Sequence, residues 1–361
     1  MKIDSVQFRE YSVMFTGALV TSLGARTQRR GIIVRVRSDD GILGLGEIAP
    51  LDNYSAESLA DARRSAEKLA RDISRSEIPA DLSSLGNVMN DAGVYPPSVI
   101  FGFETALAEI AAKSQTLPLC RWIGQDSATL VPVNALLFGD MTALREQVAS
   151  LGQSEYRVFK LKVGGDSIEN DLSRIESVSE QLGEGVSLRL DANRAWDFHQ
   201  AVAVLKPLRG LRIEYVEEPL CRTDIERLSD LQAETGMSFA LDETIQDMVL
   251  WERLIESDTV CAAIIKPTIA GGISKSTELF RRVAKLGKKA IFTTTFESGI
   301  GTAATLHLAA SFGGDMHPCG LDTIRYLSDS FVREELPVED GCIRVPDAPG
   351  LGVTLSPGIF G

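Results

Sequence analysis

Charged side chains follow five successive apolar runs of the sequence, at the point where each run ends. They recur every 24 to 29 residues or so, about the length of one strand–helix unit. If these runs are parallel strands, their carboxyl ends meet at one rim, where barrel enzymes build their active sites. The sequence therefore predicts one cluster made of Lys160 with Lys162, Asp191, Glu217 with Glu218, Asp242 with Glu243, and Lys266.

Three of these acids, Asp191, Glu217 and Asp242, end neighbouring predicted strands. Carboxylate oxygens are the ligands that Mg²⁺ prefers, and an octahedral ion keeps positions open for water or substrate. Without a cation, the three charges would repel one another and raise one another's pKa. The chain has only 3 histidines, at none of the zinc-binding spacings. We therefore expect Mg²⁺ on these acids, with Mn²⁺ as the alternative.

Two lysines flank the predicted metal site. Lys162 ends the strand before the three acids and Lys266 ends the strand after them, so they should approach a bound substrate from opposite faces. A lysine acts as a general base when its pKa falls towards neutrality. Lys160 lies two residues before Lys162, on the same face of the strand, and its ammonium would lower that pKa. Lys162, Lys266 and Lys160 are therefore the candidate catalytic residues.

The elements that must position these side chains change in type along the chain. Up to about residue 128 we predict a β-hairpin, 32–37 with 42–47, and then helices. Beyond it, short apolar runs alternate with amphipathic helices, and seven or eight such units fit a closed parallel barrel better than an open sheet. The predicted strands are 131–137, 158–161, 186–190, 213–216, 239–241, 260–265 and 290–293.

The motifs around the charged residues resemble those of the enolase superfamily, within it the muconate-lactonising-enzyme-like group. The likeness covers nearly the whole chain: GLGEIAP at 44–50, KLK at 160–162, DAN at 191–193, VEEP at 216–219, DET at 242–244 and IKP at 265–267, with Gly271 and Gly272. The resemblance implies an α/β fold with an α+β capping domain, 1–128, on a modified (β/α)7β TIM-type barrel, 129–325. The C-terminal tail, 326–361, would return to complete the capping domain. It also implies Mg²⁺-dependent abstraction of a proton α to a carboxylate.

Within that group the chain most resembles the o-succinylbenzoate synthases, dehydratases of menaquinone and phylloquinone biosynthesis. The segments that carry this likeness are GEIAPL at 46–51, LRLDANRAW at 188–196, TTTFESGIG at 293–301 and GLDT at 320–323. By this resemblance Lys162 would remove the α-proton of 2-succinyl-6-hydroxy-2,4-cyclohexadiene-1-carboxylate and then assist the loss of hydroxide, while Lys266 stays protonated on the other face. The residues that would orient these groups are Asn193, Glu243 and Glu218.

The predicted substrate contacts are Arg189, Thr295, Ser298, Gly299, Arg26 and Gly320. For Arg189 an ion pair with Glu218 is an equal alternative. Segment 299–304 matches the dinucleotide pattern G-x-G-x-x-A, but it follows six earlier strand–helix units, so the amino end of its helix suits a substrate carboxylate better. Segments 15–28 and 50–54 are predicted to be loops that close over the barrel mouth.

Two other readings stay open. A dipeptide epimerase or N-succinylamino acid racemase would use the same two lysines as alternating acid and base. Epimerases of this group favour a paired acid, Asp-x-Asp, where this chain has Asp322 followed by Thr323 and Ile324. A non-catalytic barrel scaffold is a remote alternative. Such a scaffold would be expected to lack one of the lysines or metal ligands, and none is missing from the sequence.

Composition limits the partners. A formal net charge of −13 disfavours nucleic acid and anionic membrane surfaces. Charges within the first ten residues argue against a signal peptide, so a cytoplasmic location is expected. The 5 cysteines form no C-x-x-C pair and are expected to be reduced. The expected partner is a small-molecule carboxylate substrate, and both a monomer and a homo-oligomer are compatible with the sequence.

Overall fold

A computed structural model describes residues 1–21, 24–151 and 156–360 of the chain. The N-terminal region contains an antiparallel sheet in the order β1-β2-β3, with β1 Ile3–Thr21, β2 Gly24–Ser38 and β3 Leu43–Ile48. The predicted hairpin is confirmed, since β2 pairs with β3 from Ile32–Ile48 to Arg37–Leu43.

Four helices follow this sheet: α1 Leu59–Asp72, α2 Leu82–Ala92, α3 Pro97–Ser114 and α4 Leu119–Ile123. Strand β3 lies directly against α3. A Cβ atom at Gly46 would come within 1.8 Å of the carbonyl oxygen of Gly102, and one at Gly44 within 2.0 Å of that of Ala106. Only glycine permits this close packing of strand on helix.

The central region forms a seven-stranded parallel sheet, preceded by the short strand β4 Leu130–Pro132. Its strands pair in chain order: β5 Ala135–Leu137, β6 Val158–Lys162, β7 Ser187–Asp191, β8 Ile213–Glu217, β9 Phe239–Leu241, β10 Val260–Ile265 and β11 Lys289–Phe292. The connecting helices are α5 Met141–Leu151, α6 Ile168–Gln181, α7 Phe198–Leu205, α8 Leu228–Thr235, α9 Met248–Ile255, α10 Pro267–Ala270 and α11 Gly272–Lys285, and α12 Gly299–Ala310 follows β11. The predicted alternation of strand and helix is confirmed, with the first predicted strand split into β4 and β5.

A two-residue segment joins the two edges of this sheet. Cys319 donates its backbone N–H to Pro132 and accepts from Asn134 beside β5, while Gly320 donates to Phe292 of β11 and accepts from Thr294. Residues 319–320 therefore occupy the place of an eighth strand between the first and the last strand.

The C-terminal segment returns to the capping region. Strands β12 Val338–Glu339 and β13 Cys342–Arg344 form a small sheet with β4, and the backbone N–H of Ser328 bonds the carbonyl oxygen of Met14 on β1. The fold is thus the expected cap on a barrel-like parallel sheet. The domain limits 1–128, 129–325 and 326–361 stay a prediction, and residue 361 lies outside the described part.

One local prediction is wrong. Segment 15–28 is not a loop in the described residues, because β1 and β2 run through it as a long hairpin in which Leu19 pairs with Arg26. Residues 22 and 23 lie outside the described part. The glycine, serine and threonine content of this stretch is typical of a loop. In the structure, backbone hydrogen bonds between β1 and β2 hold the segment in extended conformation.

Within the described residues, all five cysteines are free. No helix in that part of the chain is long and apolar enough to cross a membrane.

Candidate active site

The three predicted metal ligands lie together at the carboxyl ends of three adjacent strands. Asp191 ends β7, Glu217 ends β8 and Asp242 directly follows β9. One carboxylate oxygen of each lies within 4.8 Å of those of the other two, and all three residues are buried. The strand register accounts for this, since Asp191 pairs with Glu217 across the parallel ladder.

The three lysines contact this triad directly. Lys160 Nζ lies 2.8 Å from Asp191 Oδ2 and from both carboxylate oxygens of Glu217. Lys162 Nζ lies 2.6 Å from Asp191 Oδ2. Lys266 Nζ bonds Asp242 Oδ2 from the other side of the triad. Because Lys162 belongs to β6 and Lys266 follows β10, the two reach the site from opposite flanks.

Burial and charge set the protonation of this cluster. Burial alone would raise the pKa of Asp191, but the ammonium groups of Lys160 and Lys162 hold it well below its usual range. For Glu217, burial and the charge of Asp191 together raise the pKa well above the usual range. Burial opposes the charge on Lys160, yet Asp191 and Glu217 outweigh it and raise its pKa. The three lysines therefore offset the repulsion within the triad only in part.

These residues fit a divalent cation. Their donors are all carboxylate oxygens carried by three adjacent strands, which suits a hard ion. Burial and the charge of Asp191 raise the pKa of Glu217, and a bound cation would favour its charged form. Asp191, Glu217 and Asp242 would each supply one oxygen.

Three further polar residues hold the lysines and ligands in place. Asn193 accepts from Lys162 Nζ at 2.8 Å and donates to Glu243 Oε1 at 2.9 Å. Glu218 accepts from the backbone N–H groups of Asp242 and Thr244 at 3.0 and 2.6 Å, so it fixes the turn that carries the third ligand. Burial and the charge of Asp242 raise the pKa of Glu243 to about 8.

A cavity lies beside the triad and is lined by the three lysines that contact it. The barrel contributes most of its wall, and the capping region contributes Arg26, Leu51 and Tyr54. The Tyr54 hydroxyl accepts from Lys266 Nζ at 2.5 Å and donates to Asp242 Oδ1 at 2.9 Å. The other lining residues are Asn134, Leu136, Lys160, Lys162, Asn193, Lys266, Thr293, Thr294, Thr295, Phe296, Gly320, Asp322 and Thr323.

Three of the predicted substrate contacts lie in this cavity wall: Arg26, Thr295 and Gly320. Arg26 reaches it from β2 and donates to the backbone oxygen of Asp52 at 2.5 Å. Gly320 is required there by close packing, since a Cβ atom would come within 2.8 Å of Thr293 Cγ2.

Ser298 and Gly299 lie outside the cavity wall. The amino end of α12 does hold a carboxylate, as the motif suggested, but the carboxylate belongs to Glu47 of β3. Its oxygens accept from the backbone N–H groups of Ser298 and Gly301, both at 2.9 Å. Gly299 faces the C-terminal segment, where a Cβ atom would lie 2.2 Å from Val332 Cγ2. The structure thus does not bring either residue into the cavity wall, and their contact with substrate stays a prediction.

Arg189 is also placed elsewhere. It lies two residues before Asp191 on β7, so it faces the barrel interior, but one layer deeper. Its Nε donates to Glu214 Oε2 at 2.7 Å and its Nη1 to the backbone oxygen of Pro318 at 2.7 Å. The alternative pairing with Glu218 is not formed either, because Arg194 makes it. The alternation of side chains along a strand predicts which side of the sheet Arg189 faces, but not how deep in the barrel its side chain lies.

Sequence reasoning did not single out Asn134 and Leu136, which line the cavity. Asn134 interrupts an otherwise apolar predicted strand, and that single polar residue was an available signal. The contact between Tyr54 and Lys266 joins residues 212 positions apart. Segment 50–54 was predicted to lie over the barrel mouth, but this partner could not be read from spacing.

Comparison with protein families assigns the class. Residues 143–359 match the family described as enolase C-terminal domain-like, so the chain belongs to the enolase superfamily. Residues 3–110 match the MenC N-terminal domain. The class expected from the motifs is thereby confirmed.

Individual relatives of several activities are similar to this chain. It is 31% identical to the o-succinylbenzoate synthase of Pasteurella multocida over 92% of each chain. It is 27% identical to a chloromuconate cycloisomerase of Pseudomonas putida over 99% of this chain and 97% of that one. The crystal structure of a dipeptide epimerase from Enterococcus faecalis, complexed with Mg and the dipeptide L-Leu-L-Tyr, superposes with a TM-score of 0.90 at 25% identity, covering 98% of this chain and all of the other.

Proposed function

We propose that this protein catalyses the o-succinylbenzoate synthase reaction, the Mg²⁺-dependent dehydration of 2-succinyl-6-hydroxy-2,4-cyclohexadiene-1-carboxylate in menaquinone or phylloquinone biosynthesis. The observation that carries the proposal is the composition of the cavity wall. Arg26, Leu51 and Tyr54, the residues by which the cap closes the cavity, all fall within the segment that matches the MenC N-terminal domain.

The charges of the cavity support a substrate with two carboxylates. The ring carboxylate would lie at the triad, where a bound Mg²⁺ would stabilise the negative charge that develops when the α-proton leaves. The succinyl carboxylate would lie towards Arg26, on the capping side of the cavity. Both anionic ends of the substrate then face positive groups.

In this proposal Lys162 performs both proton transfers. Its Nζ takes the α-proton, and the electron pair of the broken C–H bond is delocalised into the carboxylate. The C–O bond to the ring hydroxyl then breaks, and the departing hydroxide takes the proton from Lys162 and leaves as water. The ring becomes aromatic without any oxidant. Asn193, bonded to Lys162 Nζ, holds the lysine on the side of Asp191.

Lys266 has a different role on the opposite flank. Burial disfavours its charge, but the carboxylate of Asp242 outweighs burial and raises its pKa, so it stays protonated. We therefore assign it to charge stabilisation rather than proton transfer. Lys160, held between Asp191 and Glu217, fixes the spacing of these two ligands.

Racemisation or epimerisation of N-succinylamino acids or dipeptides is the second candidate, because Lys162 and Lys266 do flank the site. The loop at Asp322 disfavours it. Asp322 Oδ2 already accepts from Tyr156 at 2.7 Å and pairs with Arg325 at 3.0 Å, so its attraction for a substrate ammonium is reduced. Thr323, which follows it, bonds the hydroxyl of Thr294 at 2.6 Å.

The test follows the ultraviolet change of aromatisation with purified protein, first with Mg²⁺ and then with excess chelator. Fast turnover that the chelator abolishes supports the proposal. No turnover above background with Mg²⁺ contradicts it. A panel of dipeptides and N-succinylamino acids in D₂O, scored by exchange of the α-proton, then tests the second candidate.

A further inference from the structure

The buried carboxylate of Glu47 joins the capping domain to the loop that follows the last barrel strand. Glu47 lies on β3 and is 0% exposed. All its described partners donate to it: Oε1 accepts from the backbone N–H of Ser298 and from the Tyr11 hydroxyl, and Oε2 accepts from Ser298 Oγ at 2.5 Å and the backbone N–H of Gly301 at 2.9 Å. A carboxylate suits such a site because it only accepts.

Glu47 occupies the amino end of α12. The first N–H groups of a helix lack partners within the helix, and its dipole favours a negative charge there. Here that charge comes from another domain. The approach is close enough to require glycine at position 301, where a Cβ atom would lie 3.0 Å from Glu47 Oε2 and 2.6 Å from Glu297 Cβ.

The loop held in this way forms part of the cavity wall. Thr295 and Phe296 line the cavity and lie directly before the anchored residues. Glu297, between them and Ser298, accepts from the backbone N–H and hydroxyl of Thr295 at 2.5 and 2.6 Å. A shift of Ser298 would therefore move Glu297 and, with it, Thr295, which lines the cavity.

A second contact from the capping domain holds the same loop. Arg29 is 2% exposed, and its Nε donates to the backbone oxygen of Phe296 at 3.2 Å. Its Nη1 donates to the backbone oxygen of Pro50 at 2.8 Å, at the start of the turn that carries Leu51 and Tyr54 to the cavity. Arg29 thus holds in place both the turn of the cap and the loop of the barrel that line the cavity.

We propose that Glu47 is a positioning residue for substrate binding, which sets the cavity wall formed by 293–296 by holding the amino end of α12. The proposal rests on the proposed function for the identity of the substrate, but not for the position of the loop. Glu47 does not line the cavity and acts only through the loop. It should therefore govern KM, while the triad and Lys162 govern kcat.

The decisive variant is Glu47→Gln. Glutamine has the same shape, but its NH₂ group must face a backbone N–H, of Ser298 or of Gly301, because each carboxylate oxygen accepts from one of them. The matched control is Glu104→Gln, which changes another buried carboxylate of the capping domain. Glu104 accepts from Ser274 at the amino end of α11 and does not touch 293–301.

We expect Glu47→Gln to raise KM for the cyclohexadiene carboxylate at least about tenfold, with kcat per folded molecule within about threefold of the parent. Glu104→Gln should keep the parent KM, and Glu47→Asp, which keeps an acceptor-only group, should recover part of the loss. A defect that only unfolds the protein lowers the active fraction without changing KM. A KM for Glu47→Gln within twofold of the parent overturns the proposal.

Two measurements keep the proposal testable if the first fails. If Glu47→Gln does not fold, Ser298→Ala removes a single hydroxyl donor to Glu47, and an unchanged KM in that variant also overturns the proposal. If the parent protein shows no turnover, the proposed function fails by itself. Hydrogen exchange of the peptide 293–301 then decides, since it should be faster in Glu47→Gln than in Glu104→Gln, and equal rates refute the positioning role.

Discussion

Glu104 should make the stability of this protein depend on pH. It lies on α3, is 2% exposed, and accepts from the backbone N–H of Ser274 at 2.9 Å at the start of α11. Burial raises the pKa of Glu104 from 4.5 to about 7, against the opposing effect of the hydrogen bonds from Ser274. The folded protein therefore binds a proton here at pH values where the unfolded chain has released it.

The sign and size follow from this difference. Between about pH 4.5 and 7 the folded state holds more protons than the unfolded state, so the free energy of unfolding falls as the pH rises. A pKa change of this size corresponds to about 3 kcal/mol of stability, which is fully present below about pH 4.5 and is lost as the pH rises to about 7. Glu104→Gln imitates the protonated acid and removes the dependence.

The assay is urea unfolding of the parent, Glu104→Gln and the control Glu180→Gln, an exposed glutamate on α6, from about pH 4.5 to about pH 8. We expect Glu104→Gln to gain about 3 kcal/mol relative to the parent as the pH rises, while the control runs parallel to the parent. A difference between Glu104→Gln and the parent that does not change with pH refutes the reasoning.

Three further predictions concern the barrel. Arg189→Met should cost about 1 to 3 kcal/mol in urea unfolding, because it leaves the half-buried Glu214 with Lys289 as its remaining partner and removes the hydrogen bond to the backbone oxygen of Pro318. Arg281→Met, at an exposed position, should stay within about 0.5 kcal/mol, and equal costs of the two substitutions contradict this prediction. Mg²⁺ at about 100 times its Kd should stabilise the parent by about 3 kcal/mol in thermal unfolding, and it should not stabilise Asp191→Asn. An equal gain in stability in both proteins would argue against the triad as the Mg²⁺ site. Burial lowers the pKa of His307 from 6.5 to about 4. The free energy of unfolding of the parent should therefore fall by about 3 kcal/mol as the pH falls through that range, while that of His307→Gln should not. Parallel dependence of the two free energies on pH would contradict this prediction.

Regular spacing made the catalytic end of the barrel predictable. Asp191, Glu217 and Asp242 each end or follow a strand, and parallel strands bring such positions to one rim. Lys162 and Lys266 follow the same rule. Here local pattern and tertiary position coincide, so the sequence was sufficient.

The capping side was less predictable, because its contacts join distant parts of the chain. Glu47 meets Ser298 across 251 positions, and Tyr54 meets Lys266 across 212. The amino end of α12 was predicted to suit a substrate carboxylate, and the sequence could not show that the carboxylate of Glu47 occupies it. Similarly, alternation placed Arg189 inside the barrel without showing that Glu214, one layer below the triad, would hold it.

The most direct test of the account compares Lys162→Ala and Lys266→Ala with the parent in the ultraviolet assay of aromatisation with Mg²⁺. Lys162→Ala should lower kcat by at least about a thousandfold, because it removes the group that both takes the proton and returns it, while circular dichroism stays unchanged. Lys266→Ala should retain measurable aromatisation. Parent-like turnover by a folded Lys162→Ala protein would contradict the central claim.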